Sequence, residues 1–451
     1  MYSEPQQSAA TRSVELADHT ATTTQVQASD TDDLNCRAQD ALPPTDQGYH
    51  AWLALFGSFL SNALIWGLAL SFGVLQEYYT NNKPFASHPS GIAAIGTTGT
   101  GIMYLTMPVF LAAFQRWPNS RRYSLWCSLP IVATALIGAS FTNTVPQLLV
   151  CQGIVYAVGG NALVMPSINY INEWFVRKKG LAIGVAIAGD GVGGVVTPLI
   201  LQALLPRVGF RWTLRIMAAI ICVPSTPLIF FLKPRVPVGT STTSPRMDIS
   251  FLRRRLFWVF EFFNIVQALG YFLPMNYLPS IAEALNLNST LGSLTVLAVN
   301  LGSVFGCLSV GALVDRFEVT TVILGVSFLS GLAVYVILGF SITIAPLFIF
   351  SLMYGLTASA YSTSWGGVIK KVQRRHEGTD ANLVFGLLAA GRGVGSIISG
   401  PLSEYLLASQ HTWQDATPSA YSSQYGPIII FSGTTALIGG LGWFVEKAGI
   451  L

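Results

Sequence analysis

GVAIAGDGVGG, from Gly184 to Gly194, and GLLAAGRGVGS, from Gly386 to Ser396, are two copies of one glycine-rich pattern. The charge reverses between them, since Asp190 in the first copy stands where Arg392 stands in the second. Each copy lies inside an apolar run long enough to cross a bilayer, for which about 20 residues suffice. An offset of about 200 residues is far beyond the roughly 20 to 50 residues of a solenoid repeat. The pattern predicts two related halves, each with one charge in an apolar interior.

Composition says what surrounds those halves. Only 10% of the residues are charged and 51% are hydrophobic, with a mean hydropathy of +0.53. No ordinary soluble domain of this length has that balance, so the chain reads as a polytopic membrane protein. Cys127, Cys151, Cys222 and Cys307 fall in apolar segments and Cys36 is alone in a polar stretch. Neither a disulfide framework nor metal-ligand spacing follows from that arrangement. Residues 1–48 carry eight acids against Arg12 and Arg37 and are rich in Ser, Thr, Gln and Ala. Such a segment cannot bury enough apolar surface to fold, and it is expected to be a disordered acidic cytosolic tail. It has no basic start and no apolar run, so it is not read as a cleaved signal.

Apolar periodicity places helices near 50–78, 91–114, 123–142, 147–171, 180–205 and 212–232 in a first half spanning 49–232. A polar connection at 233–254 precedes a second half, 255–451, with helices near 256–284, 290–313, 319–340, 345–369, 382–408 and 426–446. The fold class expected is all-α, with twelve transmembrane helices in two pseudo-symmetric six-helix halves. Lys and Arg concentrate after even-numbered helices, as in Arg177-Lys178-Lys179 and Arg253-Arg254-Arg255, and are sparse after odd-numbered ones. The positive-inside rule then puts both termini in the cytosol, with the plasma membrane as the expected location. The glycosylation pattern at Asn288 falls on the outer side in this topology, which makes a glycoprotein an expectation.

Three motifs sharpen the reading. GALVDR, Gly311 to Arg316, closes the eighth helix, and AAFQRWPNSRR, Ala112 to Arg122, occupies the corresponding first-half loop. DQGYHAW, Asp46 to Trp52, precedes the first helix, and NEWFVRKKGLAIGVAIAGDGVGG, Asn172 to Gly194, leads a basic cluster into the fifth. With these motifs the chain resembles the major facilitator superfamily, and within it the fungal branch of monocarboxylate-transporter-like proteins. The resemblance implies alternating access, a cavity lined by helices one, four, seven and ten, and helices five and eleven as symmetry mates. It also implies a gating or conformational role for Gly311, Asp315, Arg316, Arg177, Gly189, Gly193 and Gly194. GDGVGG further resembles the glycine-rich fifth-helix motif of proton-coupled drug exporters, with Asp190 at the proline position. Departures set lactate-type symport aside: Leu70 falls where the monocarboxylate members have a lysine, and Cys307 lies near their eighth-helix arginine.

Asp190 lies eleven residues beyond Lys179 and Arg392 twelve beyond Asp380, which is ~16 and ~18 Å of helix rise in a layer ~30 Å thick. A lone charge at that depth costs at least ~2.5 to 3.5 kcal/mol, so such groups face a cavity or a partner. Helical spacing puts Ala186, Gly193, Gly194 and Thr197 on the face of Asp190, and Ala389, Gly395, Ser396 and Ser399 on that of Arg392. Arg392 is the candidate for holding an anionic or polar substrate group, because a guanidinium stays charged and grips a carboxylate bidentately. Asp190 is the candidate for carrying a proton. The alternative for both is a structural contact between helices. Bend-permitting glycines in the fifth helix would also suit a rocking transporter.

Further candidates on the lining helices are Asn62, Trp66, Tyr156, Asn161, Asn264, Gln267, Tyr271, Tyr361 and Trp365, each also able to bridge helices. Together they suit a mid-sized organic substrate rather than a bare ion. Glu261, six residues past Arg255, and Glu173, four before Arg177, read as interface salt bridges, and Glu404 as solvated. No phosphate-binding loop, metal cluster or nucleophile-base pair stands out, so no cofactor, no metal and no enzymatic activity is expected. The partners implied are a small-molecule substrate, protons and the lipid bilayer, with no nucleic acid and no second subunit. The function expected is secondary active transport, with export of a natural-product metabolite ahead of uptake of a monocarboxylate or other nutrient. A non-transporting nutrient sensor on a transporter fold is the rival from another class.

Overall fold

The computed structural model describes residues 43–87, 91–235, 249–285, 289–376, 378–408 and 420–449, and among these the regular structure is helical throughout, with no strand. The first-half helices are α1 (Tyr49–Asn81), α2 (Ile92–Arg116), α3 (Ser120–Ala139), α4 (Val145–Trp174), α5 (179–208) and α6 (210–231). The second half repeats them as α7 (Arg255–Ala284), α8 (Ser289–Arg316), α9 (Val319–Leu338), α10 (Ile344–Arg375), α11 (Ala381–Ala408) and α12 (Gly426–Lys447). Ten helices among the described residues are long and apolar enough to cross a membrane, with α5 and α6 counted as one 53-residue helix. The exception, α3, is diluted by Ser120, Arg121 and Arg122 at its start. The helical segments follow those read from hydropathy, with the fifth and sixth joined across Gly209.

Between α5 and α6 the sequence reading leaves a loop, whereas the helix is interrupted only at Gly209, whose φ of 70° and ψ of 170° suit glycine alone at little cost. No other residue of 179–231 leaves helical φ/ψ. Irregularity sits elsewhere. α10 passes through a 3-10 segment, Ser359–Ser364, midway along its length, and α4 contains a π-helical turn at Leu149–Val155. Such departures loosen the backbone ladder where side chains must be re-aimed.

The α5 glycines let helices touch. A Cβ at Gly189 or Gly193 would collide with the α1 backbone at Phe59 and Ala63. One at Gly184 or Gly191 would collide with the α8 backbone at Cys307 and Asn300. The same four positions recur in α11, where Gly391 and Gly395 press on Glu261 and Ala268 of α7, and Gly386 and Gly393 on Pro108 and Tyr104 of α2. Small residues at a helix seam allow this backbone approach and the dispersion contact it brings. Thus α5 is held between α1 of its own half and α8 of the other, and α11 between α7 and α2.

Within residues 43–48, assigned above to the tail, the chain is exposed except at Asp46 and, in part, Thr45. Asp46 is 7% exposed, and its carboxylate accepts from the amides of Val176, Arg177 and Lys178 at 3.3, 2.9 and 2.7 Å. Its own amide donates to the Trp174 carbonyl at 2.9 Å. The segment before α1 is therefore tied to the turn that opens α5. The rest of the acidic tail and Asn288 lie outside the described residues.

The seams generate a contrast within one residue type. Gly193→Ala is expected to lower thermal stability in detergent by ~1 to 3 kcal/mol through overpacking against Ala63 and Gly67. Gly400→Ala, where an added Cβ meets nothing within 4 Å, is expected to be neutral or to stabilise by up to ~1 kcal/mol. Equal melting temperatures for the two variants would contradict the account.

Candidate transport site

Because glycines occupy two sides of α5, Asp190 falls on the strip between the two seams. There it lines a small cavity together with Asn62 and Trp66 of α1, Tyr104 of α2, Ile168 of α4 and Trp365 of α10. The cavity volume is about 30 Å3, room for a water molecule rather than an organic substrate. Asp190 Oδ1 is buried without a hydrogen-bond partner. The wall is drawn from both halves.

Arg392 takes the matching strip on α11 and is 2% exposed. Its Nη1 donates to Gln267 Oε1 at 3.2 Å, and its guanidinium lies 4.2 Å from the centre of the Tyr271 ring and 5.6 Å from that of Phe272. Its Nε has no acceptor. A cation over two aromatic faces is stabilised without a counter-ion. The ion pairs among the described residues are Arg121–Glu173, Lys370–Asp315, Lys371–Glu318 and Lys371–Glu446, and neither Asp190 nor Arg392 enters one. Each charge keeps an unused polar atom toward the interior of the bundle.

The remaining candidates divide. Gln267 and Tyr271 hold Arg392, and Tyr271 also donates to Ser359 Oγ at 3.1 Å. Asn264 bridges helices, donating to the Leu388 carbonyl at 2.7 Å and accepting from Trp365 Nε1 at 3.2 Å. Tyr156 and Asn161 are also bridges, to the carbonyls of Ile65 at 2.8 Å and Met103 at 2.5 Å. Tyr361 is buried at 4% exposure in the 3-10 segment of α10. Tyr104 escaped the sequence reading because α2 was not among the lining helices. Its ring lies 4.8 Å from Trp66 and 6.5 Å from Phe272, so it links the Asp190 cavity to the aromatic bed of Arg392. The signal for it was there, since Gly393 of the repeat is the residue that makes room for it.

Two salt-bridge expectations are corrected. Glu173 pairs with Arg121 of α3, not with Arg177, because the helix ends at Trp174 and Arg177 lies in the following turn. Glu261 joins no ion pair among the described residues; it is 6% exposed, lies against Gly391 and leaves Oε2 without a partner. Close packing of α7 on the α11 glycines carries it inside, away from Arg255. Glu404 is exposed, as expected.

At the basic end, where the Lys- and Arg-rich turns gather, the halves are closed on each other. The Asp315 carboxylate accepts from the amides of Gly180 and Leu181 at 3.0 and 2.8 Å and from Lys370 Nζ at 2.5 Å. These amides are free donors in the first turn of α5, where the helix dipole also favours an anion. Lys370 Nζ reaches the Arg177 carbonyl at 2.6 Å as well, and Gly311 meets the Gly180 backbone directly. Arg316 points to the surface depression beside this contact. The charged contact joins the two halves at this end.

The profile of the Major Facilitator Superfamily matches residues 51–379 and 261–448, and the chain belongs to that family. It is 27% identical over 397 residues to the MFS transporter asaE of Aspergillus flavus, covering 88% of this chain and 87% of that protein. It is also 27% identical over 361 residues to the agnestins efflux protein AgnL12 of Paecilomyces divaricatus, covering 80% and 82%. The crystal structure of the human organic anion transporter MFSD10 superposes with a TM-score of 0.60 at 15% identity, over 86% of this chain and 100% of the other.

Asp315→Ala is expected to open the basic end. Cys307, fully buried opposite Gly184 at the α5–α8 seam, is the reporter. With the other cysteines replaced by Ser, its maleimide labelling is expected to rise roughly tenfold, the population shift matching loss of hydrogen bonds worth ~1 to 3 kcal/mol. Unchanged labelling would remove Asp315 from the gate.

Proposed function

We propose that the protein is a secondary active transporter that exports a small organic metabolite by alternating access, coupled to protons. The observation that carries this reading is a cavity walled by both halves, with Asp190 in its lining and Arg392 next to it beyond Tyr104. Rocking of the halves about the α5–α8 and α2–α11 seams would expose this region first to one side and then to the other. The seams are apolar and glycine-lined, so sliding there breaks few polar contacts. The basic-end gate, by contrast, is polar, and water can replace its hydrogen bonds when it opens.

In this mechanism Arg392 receives a carboxylate or other electron-rich group of the substrate through its unused Nε. The aromatic surfaces of Trp66, Tyr104 and Trp365 bind the substrate's apolar body. Asp190 carries the proton: a buried carboxyl is tolerated neutral, while a cation nearby favours its ionised form. Substrate neutralising Arg392 would alter that balance, and this coupling links proton and metabolite. Efflux as the direction is supported by the relatives, one of which is named as an efflux protein for agnestins. Twelve crossings, both termini in the cytosol and residence in the plasma membrane complete the proposal, on the strength of the basic turns.

The test uses purified protein in vesicles with a metabolite panel from the native organism, recording metabolite flux and internal pH together. Wild type is expected to move an anionic compound and protons in the same direction, since an anion on Arg392 favours the protonated form of Asp190. Asp190→Asn is expected to abolish the pH change while compound binding persists, and Arg392→Ala to weaken binding of anionic compounds at least ~10-fold, the loss of a charge-assisted hydrogen bond. Transport and coupling that survive both substitutions would overturn the assignment, and loss of nutrient uptake on gene deletion would reverse the direction.

A further inference from the structure

The two halves differ at equivalent corners of the basic end. In the first half, the junction between the start of α1 and the end of α6 is filled by the chain itself. Arg235 Nε donates to the Pro43 carbonyl at 2.8 Å, and Trp174 Nε1 to the Lys233 carbonyl at 3.1 Å. In the second half, the start of α7 and the end of α12 leave an open groove of about 430 Å3. Its walls are apolar, formed chiefly by Trp258, Phe262, Phe263 and Val445. Its rim is Arg253, Arg254 and Arg255.

The three guanidinium groups are exposed, and among the described residues none enters an ion pair or a side-chain hydrogen bond. They precede and open a 30-residue helix, so the positive end of the helix dipole adds to their charge. From Arg255 the stripe Trp258, Val259, Phe262 follows at positions i+3, i+4 and i+7, one face of the helix running from charge to hydrocarbon. Trp258 and Phe262 are 55% and 58% exposed on a helix apolar enough to span a membrane, and Trp258 Nε1 is fixed by donating to the Leu252 carbonyl at 2.6 Å. A cationic rim above an apolar channel parallel to the helix axis complements a molecule with an anionic head and an alkyl tail.

We propose that this groove binds an anionic phospholipid, with its phosphate on Arg253 to Arg255 and an acyl chain along Trp258 and Phe262. An acidic protein segment would match the rim and leave the apolar walls uncovered. The inference needs only that this end of the bundle lies at a membrane interface. It does not depend on the transport cycle, so a failed transport assay leaves it standing.

The experiment is a native mass-spectrometric titration of the full chain, delipidated in neutral detergent, with phosphatidylserine and with phosphatidylcholine of the same chains. Binding of phosphatidylserine is expected to be at least ~10-fold tighter, since one arginine near an anionic headgroup contributes roughly fivefold. The triple change R253Q/R254Q/R255Q is expected to erase the preference, and R253K/R254K/R255K to keep most of it, which separates charge from folding. As an arm independent of these variants, brominated phosphatidylserine is expected to quench the fluorescence of wild type more than that of Trp258→Phe. Equal affinity for the two lipids, or a preference that persists in the glutamine variant, overturns the site. Competition by inorganic phosphate or glycerophosphoserine at the lipid's own concentration would make it a soluble-anion site and equally overturn it. A gain in lipid binding on deleting residues 1–42 would identify the acidic tail as the occupant instead.

Discussion

The interaction on which the structure depends is close helix contact at the glycine seams of α5 and α11, backbone to backbone at the α5 positions. Each of these helices is squeezed between a partner in its own half and one in the other, and a single methyl group at most of these glycines would force the pair apart. The spacing is the same in both: positions i and i+4 face the helix of the same half, and positions i and i+7 face the opposite half. The repeat seen in the sequence is a repeat of contacts. Without a hydrophobic driving force between helices in lipid, such close packing supplies much of their association.

That geometry also decides where charge can go. Two seams consume two sides of the helix, and the remaining inward strip carries Asp190 in one half and Arg392 in the other. Each is placed by its flanking glycines, Gly189 and Gly191 around Asp190, Gly391 and Gly393 around Arg392. Neither charge is neutralised by the other, since aromatic faces and Gln267 support Arg392 while Asp190 borders the cavity. Opposite charges held apart in a low-dielectric interior are responsive to what arrives between them. Architecture and site are therefore one arrangement.

Two carboxylates at the basic end extend the same logic to the gate. Asp46 binds the amides of residues 176–178 from within its own half, and Asp315 binds those of Gly180 and Leu181 from the other. The first contact orders the turn, and the second docks on the helix start that the turn presents. One is a fixed brace and the other joins parts that move in the proposed cycle.

The sequence by itself determined the helical architecture and the two halves, because hydropathy, length and rise per residue are local quantities. It also marked Asn62, Trp66, Asp190 and Trp365, which do meet at one cavity. Only the tertiary structure decided how polar groups are shared. Tyr156, Asn161 and Asn264 were legible as polar residues in apolar helices, yet their bonds to the carbonyls of Ile65, Met103 and Leu388 depend on which helices adjoin. Glu261 read as a surface salt bridge by counting from Arg255, but close packing against Gly391 buries it. The α5 glycines read as residues that permit bending; that they are also contact points follows from their neighbours at Phe59, Ala63 and Cys307. A residue's type fixes what it can do, and the helices brought against it fix which of those things it does.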